Sequence, residues 1–126
     1  PLEDAVAADL ESYSGPVAVM SFNPHSVAHF AGAAPQIARG LTTDAFTAED
    51  WPTIPAATRD RLRDFPDYHP VGASFISHAA DDLDNPRVTE LKNAGAAILC
   101  WTIRSAAAEA QARRIAQNVT FEGYDA

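Results

Sequence analysis

The stretch Ala96-Ala-Ile-Leu-Cys-Trp-Thr-Ile-Arg-Ser105 decides the fold of this chain. It is an apolar run that ends in Trp101, Thr102 and Arg104, and an alanine-rich helical segment and a second apolar run, Val119–Phe121, follow it. This order is typical of a β-α-β unit, whose strands are apolar on both faces because helices cover a parallel sheet. Ligands bind at the carboxyl ends of such strands, so Trp101 to Arg104 mark the place where a functional site is expected.

The composition indicates one globular domain with an ordinary core. Of the 126 residues, 47% are hydrophobic and 21% are charged, and the formal net charge is −8. Nucleic acids and anionic membranes repel an acidic protein, so neither is expected as a partner. The single cysteine, Cys100, forms no internal disulfide or cysteine-based metal site and is predicted to be a buried thiol. The sequence shows neither a membrane-spanning apolar run nor a signal peptide, which predicts no membrane span and a cytoplasmic location.

Alternating helical and strand patterns run through the chain after a first helix at residues 2–10. Strands are predicted at residues 17–22, 37–41, 73–78, 96–103 and 119–121. Asn23 and Ser105 are predicted to cap the helices that follow them, and the last helix is expected to reach Ala116. Residues 42–70 are expected to form an irregular insertion with a helix at 56–64. We therefore predict an α/β fold with five parallel strands, forming a single partial domain over residues 1–126.

The carboxyl ends of parallel strands meet at one edge, so the residues there are the candidate site. They are Ser21, Phe22, Arg39 to Leu41, Ser77, His78, Trp101 to Arg104, and Glu122. Aromatic rings suit a carbon skeleton and guanidinium groups suit an anion, so this set favours a polyol or a phosphate. Each residue has a structural alternative: core packing for Phe22 and Trp101, a hydrogen-bonding role for His78, and a surface ion pair for Arg104.

The chain lacks the familiar catalytic motifs. It has no glycine-rich phosphate loop, no nucleophile elbow and no zinc-binding helix motif. Asp81, Asp82 and Asp84 resemble a metal cluster, but carboxylates at a helix start more commonly cap the helix or favour its dipole. Phosphodiester hydrolysis needs a general acid and usually a metal. The chain offers no tight carboxylate cluster to hold that metal, and His78 is a candidate catalytic base.

Four short motifs carry a resemblance to a known family. They are Ser21-Phe-Asn-Pro24, Leu91-Lys-Asn-Ala-Gly95, Trp101-Thr-Ile-Arg-Ser105 and Val119-Thr-Phe-Glu-Gly123. Their order and spacing resemble the C-terminal part of glycerophosphodiester phosphodiesterases over essentially the whole chain. The resemblance implies the C-terminal part of a TIM-type (β/α)8 barrel, strands four to eight. It also implies hydrolysis of glycerophosphodiesters to glycerol 3-phosphate and an alcohol, with a divalent metal, Ca²⁺ or Mg²⁺, in the full-length enzyme.

The resemblance assigns Phe22 and Trp101 to the glycerol side of the pocket. His78 and Arg104 are predicted as further substrate-binding residues from their place at the strand ends. Two positions depart from the family pattern: Arg104 stands where Asn is usual, and Glu122 stands where Asp is common. The family's His-Arg-Gly and Glu-x-Asp motifs, which supply acid/base groups and metal ligands, do not occur in this sequence. The resemblance therefore implies that the chain contains no catalytic residue and no metal ligand, forms one wall of a small-molecule pocket and is inactive alone.

The first residues predict that this chain is a portion of a longer protein, because it begins at Pro1 without methionine and is helical from residue 2. Five parallel strands do not close a barrel, so the sheet edges are expected to be covered by a missing N-terminal half or by a second copy. The alternative is a non-catalytic α/β module that binds a ligand or partner through the same edge. A third possibility is part of another phosphate-binding barrel, since fold does not fix function.

Overall fold

A computed structural model describes all residues, 1–126, and contains one parallel sheet in the order β1-β2-β3-β4-β5. The strands are β1 (Ala18–Ser21), β2 (Ala38–Thr43), β3 (Phe75–Ala79), β4 (Ala97–Ile103) and β5 (Asn118–Phe121). The helices are α1 (Leu2–Glu11), α2 (Pro24–Ala33), α3 (Ala56–Leu62), α4 (Pro86–Asn93) and α5 (Ala106–Ala112), with a 3₁₀ turn at Ala80–Asp82. The sheet curls into a half-barrel with alternating helices, which confirms the predicted fold class. None of the helices combines the length and the apolar character that crossing a bilayer requires.

The two faces of the sheet have different surroundings. Ile76 and Ile98 lie opposite each other on β3 and β4 and belong to the main buried core, which the helices cover. Phe75 points to the other face, because side chains alternate along a strand. Its ring lies against Gly40 of β2, where an added Cβ would come within 2.4 Å of the ring. Glycine at this position therefore allows the phenyl ring to pack directly on the neighbouring strand.

Helix starts and ends follow the local sequence closely. Asn23 accepts a hydrogen bond from the backbone N–H of His25, and Ser105 accepts one from Ala108, so both predicted caps are confirmed. Asn85, and none of the neighbouring aspartates, caps α4 by accepting from the N–H of Arg87. Gly95 follows the end of α4 with φ +101°. Glycine adopts this conformation without the strain that a Cβ would cause.

The second strand is longer than predicted, and this moves Arg39 away from the candidate site. Thr42 and Thr43 were expected to begin the insertion, but they pair with β3 as part of β2. Their β-branched side chains suit a strand. The prediction that Arg39 lies at the carboxyl edge is therefore wrong. It lies near the amino end of β2, where its Nε donates to the carbonyl of Val71 at 3.1 Å.

The last helix is shorter than predicted. It ends at Ala112, four residues before the predicted Ala116, and Asn118 is the first residue of β5. Ala116 turns into the core with 3% of its surface exposed. Gln117 then joins the sheet: its N–H donates to the carbonyl of Ile98, and its Oε1 accepts from the N–H of Ile98. These two bonds fix the chain beside β4 and end the helix early.

The sheet is open at both sides within this chain. β1 pairs with β2 alone, and β5 pairs with β4 alone. Each edge strand consequently leaves backbone N–H and C=O groups that no other strand of the chain satisfies. Met20 on β1 and Phe121 on β5 are also 48% and 47% exposed, so both edges present apolar side chains.

Candidate functional site

An aromatic cluster stands at the carboxyl edge of the sheet. It consists of Phe22, Phe46, Trp51 and Trp101. Phe22 follows β1 and meets Trp101 of β4 edge to face, with ring centroids 5.5 Å apart. Trp51 lies 5.2 Å from Phe22, and Phe46 lies 5.4 Å from Trp51. The structure thus brings together Phe22 and Trp101, which the sequence assigned to one site, and adds two rings that it did not.

Trp101 is held at its polar edge by the backbone of two neighbouring strands. Its indole Nε1 donates to the carbonyl oxygen of Ser77 at 3.1 Å and to that of Thr43 at 3.2 Å. The ring remains part-exposed, and the peptide bond to Thr102 is cis. An indole with a satisfied N–H and an accessible face is suited to pack against the carbon atoms of a ligand.

The two additional rings come from the loop after β2. Trp51 donates its indole N–H to Asp44 Oδ2 at 2.8 Å, and Asp44 Oδ1 accepts from the N–H of Ala45 at 2.7 Å. Phe46 adopts a positive φ of 50°, in the left-handed region that non-glycine residues occupy mainly in turns. The conformation of the loop therefore places Trp51 in the cluster, and no periodic pattern in the sequence predicts that position. The one feature of the sequence that draws attention to Trp51 as a site residue is that the chain has two tryptophans.

A cavity of about 300 Å³ adjoins Trp101 and has a largely polar lining. Its lining residues are Asp44, Asp50, Ala79, Ala80, Asp81, Trp101, Thr102 and Arg104. Arg104 is the only cation among them, and it forms an ion pair with Glu122 at 2.7 Å. Both partners are largely exposed, at 71% and 58%. Exposed pairs of this kind contribute little, so Arg104 can exchange Glu122 for another anion, against the repulsion of the carboxylates of Asp44, Asp50 and Asp81.

His78 occupies a different environment from the other candidate residues. It is fully buried, and it is not part of the cavity lining. Its Nδ1 lies 2.8 Å from Thr43 Oγ1, and its Nε2 lies 3.0 Å from Asp82 Oδ2. The ring of Phe65 packs edge-on against it at 5.2 Å. Both ring nitrogens therefore have protein partners, and a direct contact of His78 with substrate stays a prediction.

The acidic residues of this region do not form a metal site among themselves. No group of three or more histidine, cysteine, aspartate or glutamate side chains lies close enough to hold an ion. Both oxygens of Asp44 already accept hydrogen bonds, and Asp82 accepts from Asn85 Nδ2 at 3.0 Å in addition to contacting His78. With these oxygens occupied, the acidic side chains of this region do not by themselves fit a divalent metal.

The curled sheet and the site at its carboxyl edge define a β/α-barrel type of protein in which this chain provides five strands. No family model matches the sequence, and no curated protein matches it. Solved structures do match. An Oleispira antarctica phosphodiesterase, determined in complex with the product sn-glycerol-3-phosphate, is 22% identical over 95% of this chain and 46% of its own, with a TM-score of 0.66.

A second similar structure is a putative glycerophosphoryl diester phosphodiesterase from Silicibacter pomeroyi DSS-3. It is 17% identical over 95% of this chain and 39% of its own, with a TM-score of 0.70. The chain therefore spans less than half the length of either protein. At these identities the likeness establishes the fold alone. That fold, a part of a β/α barrel, is the one that the sequence motifs implied.

Proposed function

We propose that this chain is part of a glycerophosphodiester phosphodiesterase-like hydrolase and supplies one wall of its substrate pocket. The reaction of the whole protein would convert a glycerophosphodiester to glycerol 3-phosphate and an alcohol. The observation that carries the proposal is the contact between Phe22 and Trp101 beside a polar cavity at the carboxyl edge. The product complex of one structural neighbour supports the substrate class.

The proposed roles follow from the chemistry of each side chain. Trp101 and Phe22 would pack against the carbon atoms of the glycerol group, and Trp51 would extend that apolar wall. Arg104 would bind the phosphate, since its guanidinium lies at the cavity and its present partner is an exposed carboxylate. The Ca²⁺ or Mg²⁺ of the complete enzyme would be held by residues outside this chain.

Activity measurements test the claim that this chain carries only a pocket wall. Purified 1–126 is expected to release no glycerol 3-phosphate from glycerophosphocholine with Ca²⁺ or Mg²⁺ present. The physical reason is that the chain offers no group of side chains able to hold the metal. Metal-dependent release by the purified chain, abolished by a chelator, would contradict the proposal.

Ligand binding tests the assigned residues directly. Calorimetric titration with sn-glycerol 3-phosphate is expected to show binding that Phe22→Ala and Arg104→Ala each weaken by about tenfold, equivalent to about 1.4 kcal/mol. Tyr13→Ala and Arg114→Ala are the matched controls, because they remove an exposed aromatic ring and a cation away from the cavity. Equal weakening by the controls, or no effect of the site variants, would refute these roles.

The open edges lead to a proposal about partners. Unpaired backbone groups on β1 and β5, with Met20 and Phe121 exposed beside them, would be covered by further β/α units or by a second copy of the chain. Light scattering of purified 1–126 is expected to show a species larger than a monomer. A stable monomer over a range of micromolar concentrations would count against this.

A non-catalytic module that binds a phosphorylated polyol is the second candidate. The intact cavity and the missing metal donors are compatible with it. The coding sequence preceding Pro1 separates the two candidates. An in-frame His-Arg-Gly motif followed by Glu-x-Asp would favour the enzyme, and a start codon at this point would favour the module.

A further inference from the structure

A chain of hydrogen bonds runs from the start of α4 to the aromatic cluster, with the fully buried His78 at its centre. Asn85 caps α4 and donates its side-chain amide to Asp82 at 3.0 Å. Asp82 contacts His78 Nε2 at 3.0 Å, and Thr43 Oγ1 contacts the other ring nitrogen at 2.8 Å. His78 is 0% exposed, so protein groups alone satisfy its ring.

The partners of His78 define its tautomer. An ionised carboxylate only accepts hydrogen bonds, so Asp82 requires the proton on Nε2. In the neutral ring Nδ1 is then an acceptor, and the hydroxyl of Thr43 donates to it. This bond favours the Thr43 side-chain rotamer that directs Oγ1 toward His78 Nδ1.

The same threonine holds Trp101 through its backbone. The carbonyl oxygen of Thr43 accepts from the indole Nε1 at 3.2 Å, and the carbonyl of Ser77, the residue before His78, accepts from it at 3.1 Å. Thr43 is hydrogen-bonded to the His78 ring, and Ser77 precedes His78 in the chain. Both carbonyls that hold the indole therefore belong to residues directly connected to His78. The carboxyl ends of β2 and β3 are thereby joined directly beneath the aromatic cluster.

We propose that His78 is a positioning residue for Trp101, acting through Thr43, rather than a residue that contacts substrate. Asp82 and Asn85 hold the imidazole in the Nε2–H tautomer, Nδ1 orients Thr43, and the Thr43 carbonyl fixes the indole. The consequence for ligand binding rests on the proposed function, because it requires Trp101 to contact the glycerol group. The positioning of Trp101 by His78 does not rest on the proposed function, and it can be measured without any ligand.

The test uses hydrogen–deuterium exchange of the Trp101 indole N–H by NMR. Trp51→Phe assigns the signal, since the chain has two tryptophans. Thr43→Val keeps the shape of the side chain but removes its hydroxyl, and His78→Gln places its amide near the Nε2 position and leaves Nδ1 unreplaced. Both variants are expected to speed exchange of the Trp101 indole N–H at least tenfold.

Three variants are controls for this measurement. Thr43→Ser keeps the hydroxyl, and His78→Asn places an acceptor near the Nδ1 position. Ile76→Val perturbs the same buried strand without touching the hydrogen bonds of His78. All three are expected to leave the indole exchange rate within about twofold of wild type. Unchanged exchange in Thr43→Val and His78→Gln, with native circular dichroism, would overturn the proposal, as would equal acceleration in Ile76→Val.

A measurement on the unaltered chain keeps the proposal testable if the variants do not fold. A long-range proton–nitrogen NMR spectrum of His78 is expected to show the Nε2–H tautomer, and an Nδ1–H tautomer would overturn the proposal. Calorimetry with sn-glycerol 3-phosphate then separates the positioning role of His78 from the proposed function. Failure of wild type to bind speaks against the proposed function, whereas the exchange data alone decide the positioning role.

Discussion

The indole Nε1 of Trp101 donates a hydrogen bond to the carbonyl oxygen of Thr43 across 58 residues of chain, at 3.2 Å. It shares this donor with the carbonyl of Ser77 at 3.1 Å. One side chain of β4 therefore bridges the carboxyl ends of β2 and β3. Buried carbonyl groups need such partners, so the bridge both fixes the ring and stabilises the edge of the sheet.

Replacing Trp101 with phenylalanine isolates the contribution of this bridge. Trp101→Phe retains an aromatic ring but removes the N–H, and it leaves two carbonyls without their donor. We expect the free energy of unfolding to fall by about 1–2 kcal/mol in urea denaturation. Phe121→Leu, at the exposed end of β5, is the control and should change it by less than about 0.5 kcal/mol. Equal stability of Trp101→Phe and wild type would contradict the assignment.

Removing the Ser77 hydroxyl is expected to raise the free energy of unfolding, whereas the change at Trp101 lowers it. The Ser77 hydroxyl is fully buried without a hydrogen-bond partner, although the Ser77 carbonyl binds Trp101. Ser77→Ala removes an unsatisfied polar group and keeps the backbone, so we expect a gain of about 1 kcal/mol in the free energy of unfolding. Ser74→Ala, at an exposed position before β3, should be neutral within about 0.5 kcal/mol. A loss of stability in Ser77→Ala would show that the hydroxyl is bonded.

A side chain at Gly40 is predicted to destabilise the fold while Phe75 is present. An alanine Cβ would lie 2.4 Å from the Phe75 ring, so Gly40→Ala should cost about 1–3 kcal/mol of unfolding free energy. Gly32 provides the control, because its Cβ would meet nothing within 4 Å inside α2, and Gly32→Ala should stabilise by about 0.5–1 kcal/mol. The pair Gly40→Ala with Phe75→Leu should recover part of the loss in a double-mutant cycle. Additive losses would exclude a direct clash.

Acid is expected to weaken the attachment of α1 to α2. The hydrogen bond from Ser26 lowers the pKa of Glu3, and the contact with His29 lowers the pKa of Asp4. Carboxyl groups with lowered folded-state pKa values stabilise the fold above their unfolded pKa, and that stability is lost as the pH falls below about 4.

The measurement is the free energy of unfolding between pH 6 and pH 3. Asp4→Asn and Glu3→Gln should each flatten its decline with acid, because the neutral side chains no longer bind a proton. Asp9→Asn on the same helix is the control. A decline of the same steepness in Asp4→Asn and wild type would be the contrary result.

The sequence by itself determined the alternation of helices and strands and the edge at which Phe22 and Trp101 meet. These features depend on short-range properties: apolar runs for strands buried on both faces, and the caps Asn23 and Ser105. A boundary error of two residues at Thr42 and Thr43 was enough to assign Arg39 to the wrong end of β2.

The tertiary structure alone decided which side chains complete the site. Trp51 contacts Phe22 from the loop after β2, where a hydrogen bond to Asp44 fixes its indole. His78 reads as an accessible strand-end histidine in the sequence, yet Phe65 and Asp82 enclose it. Periodicity and capping are encoded within a few neighbouring residues. The paths of loops and the burial of a polar ring depend on contacts between distant parts of the chain.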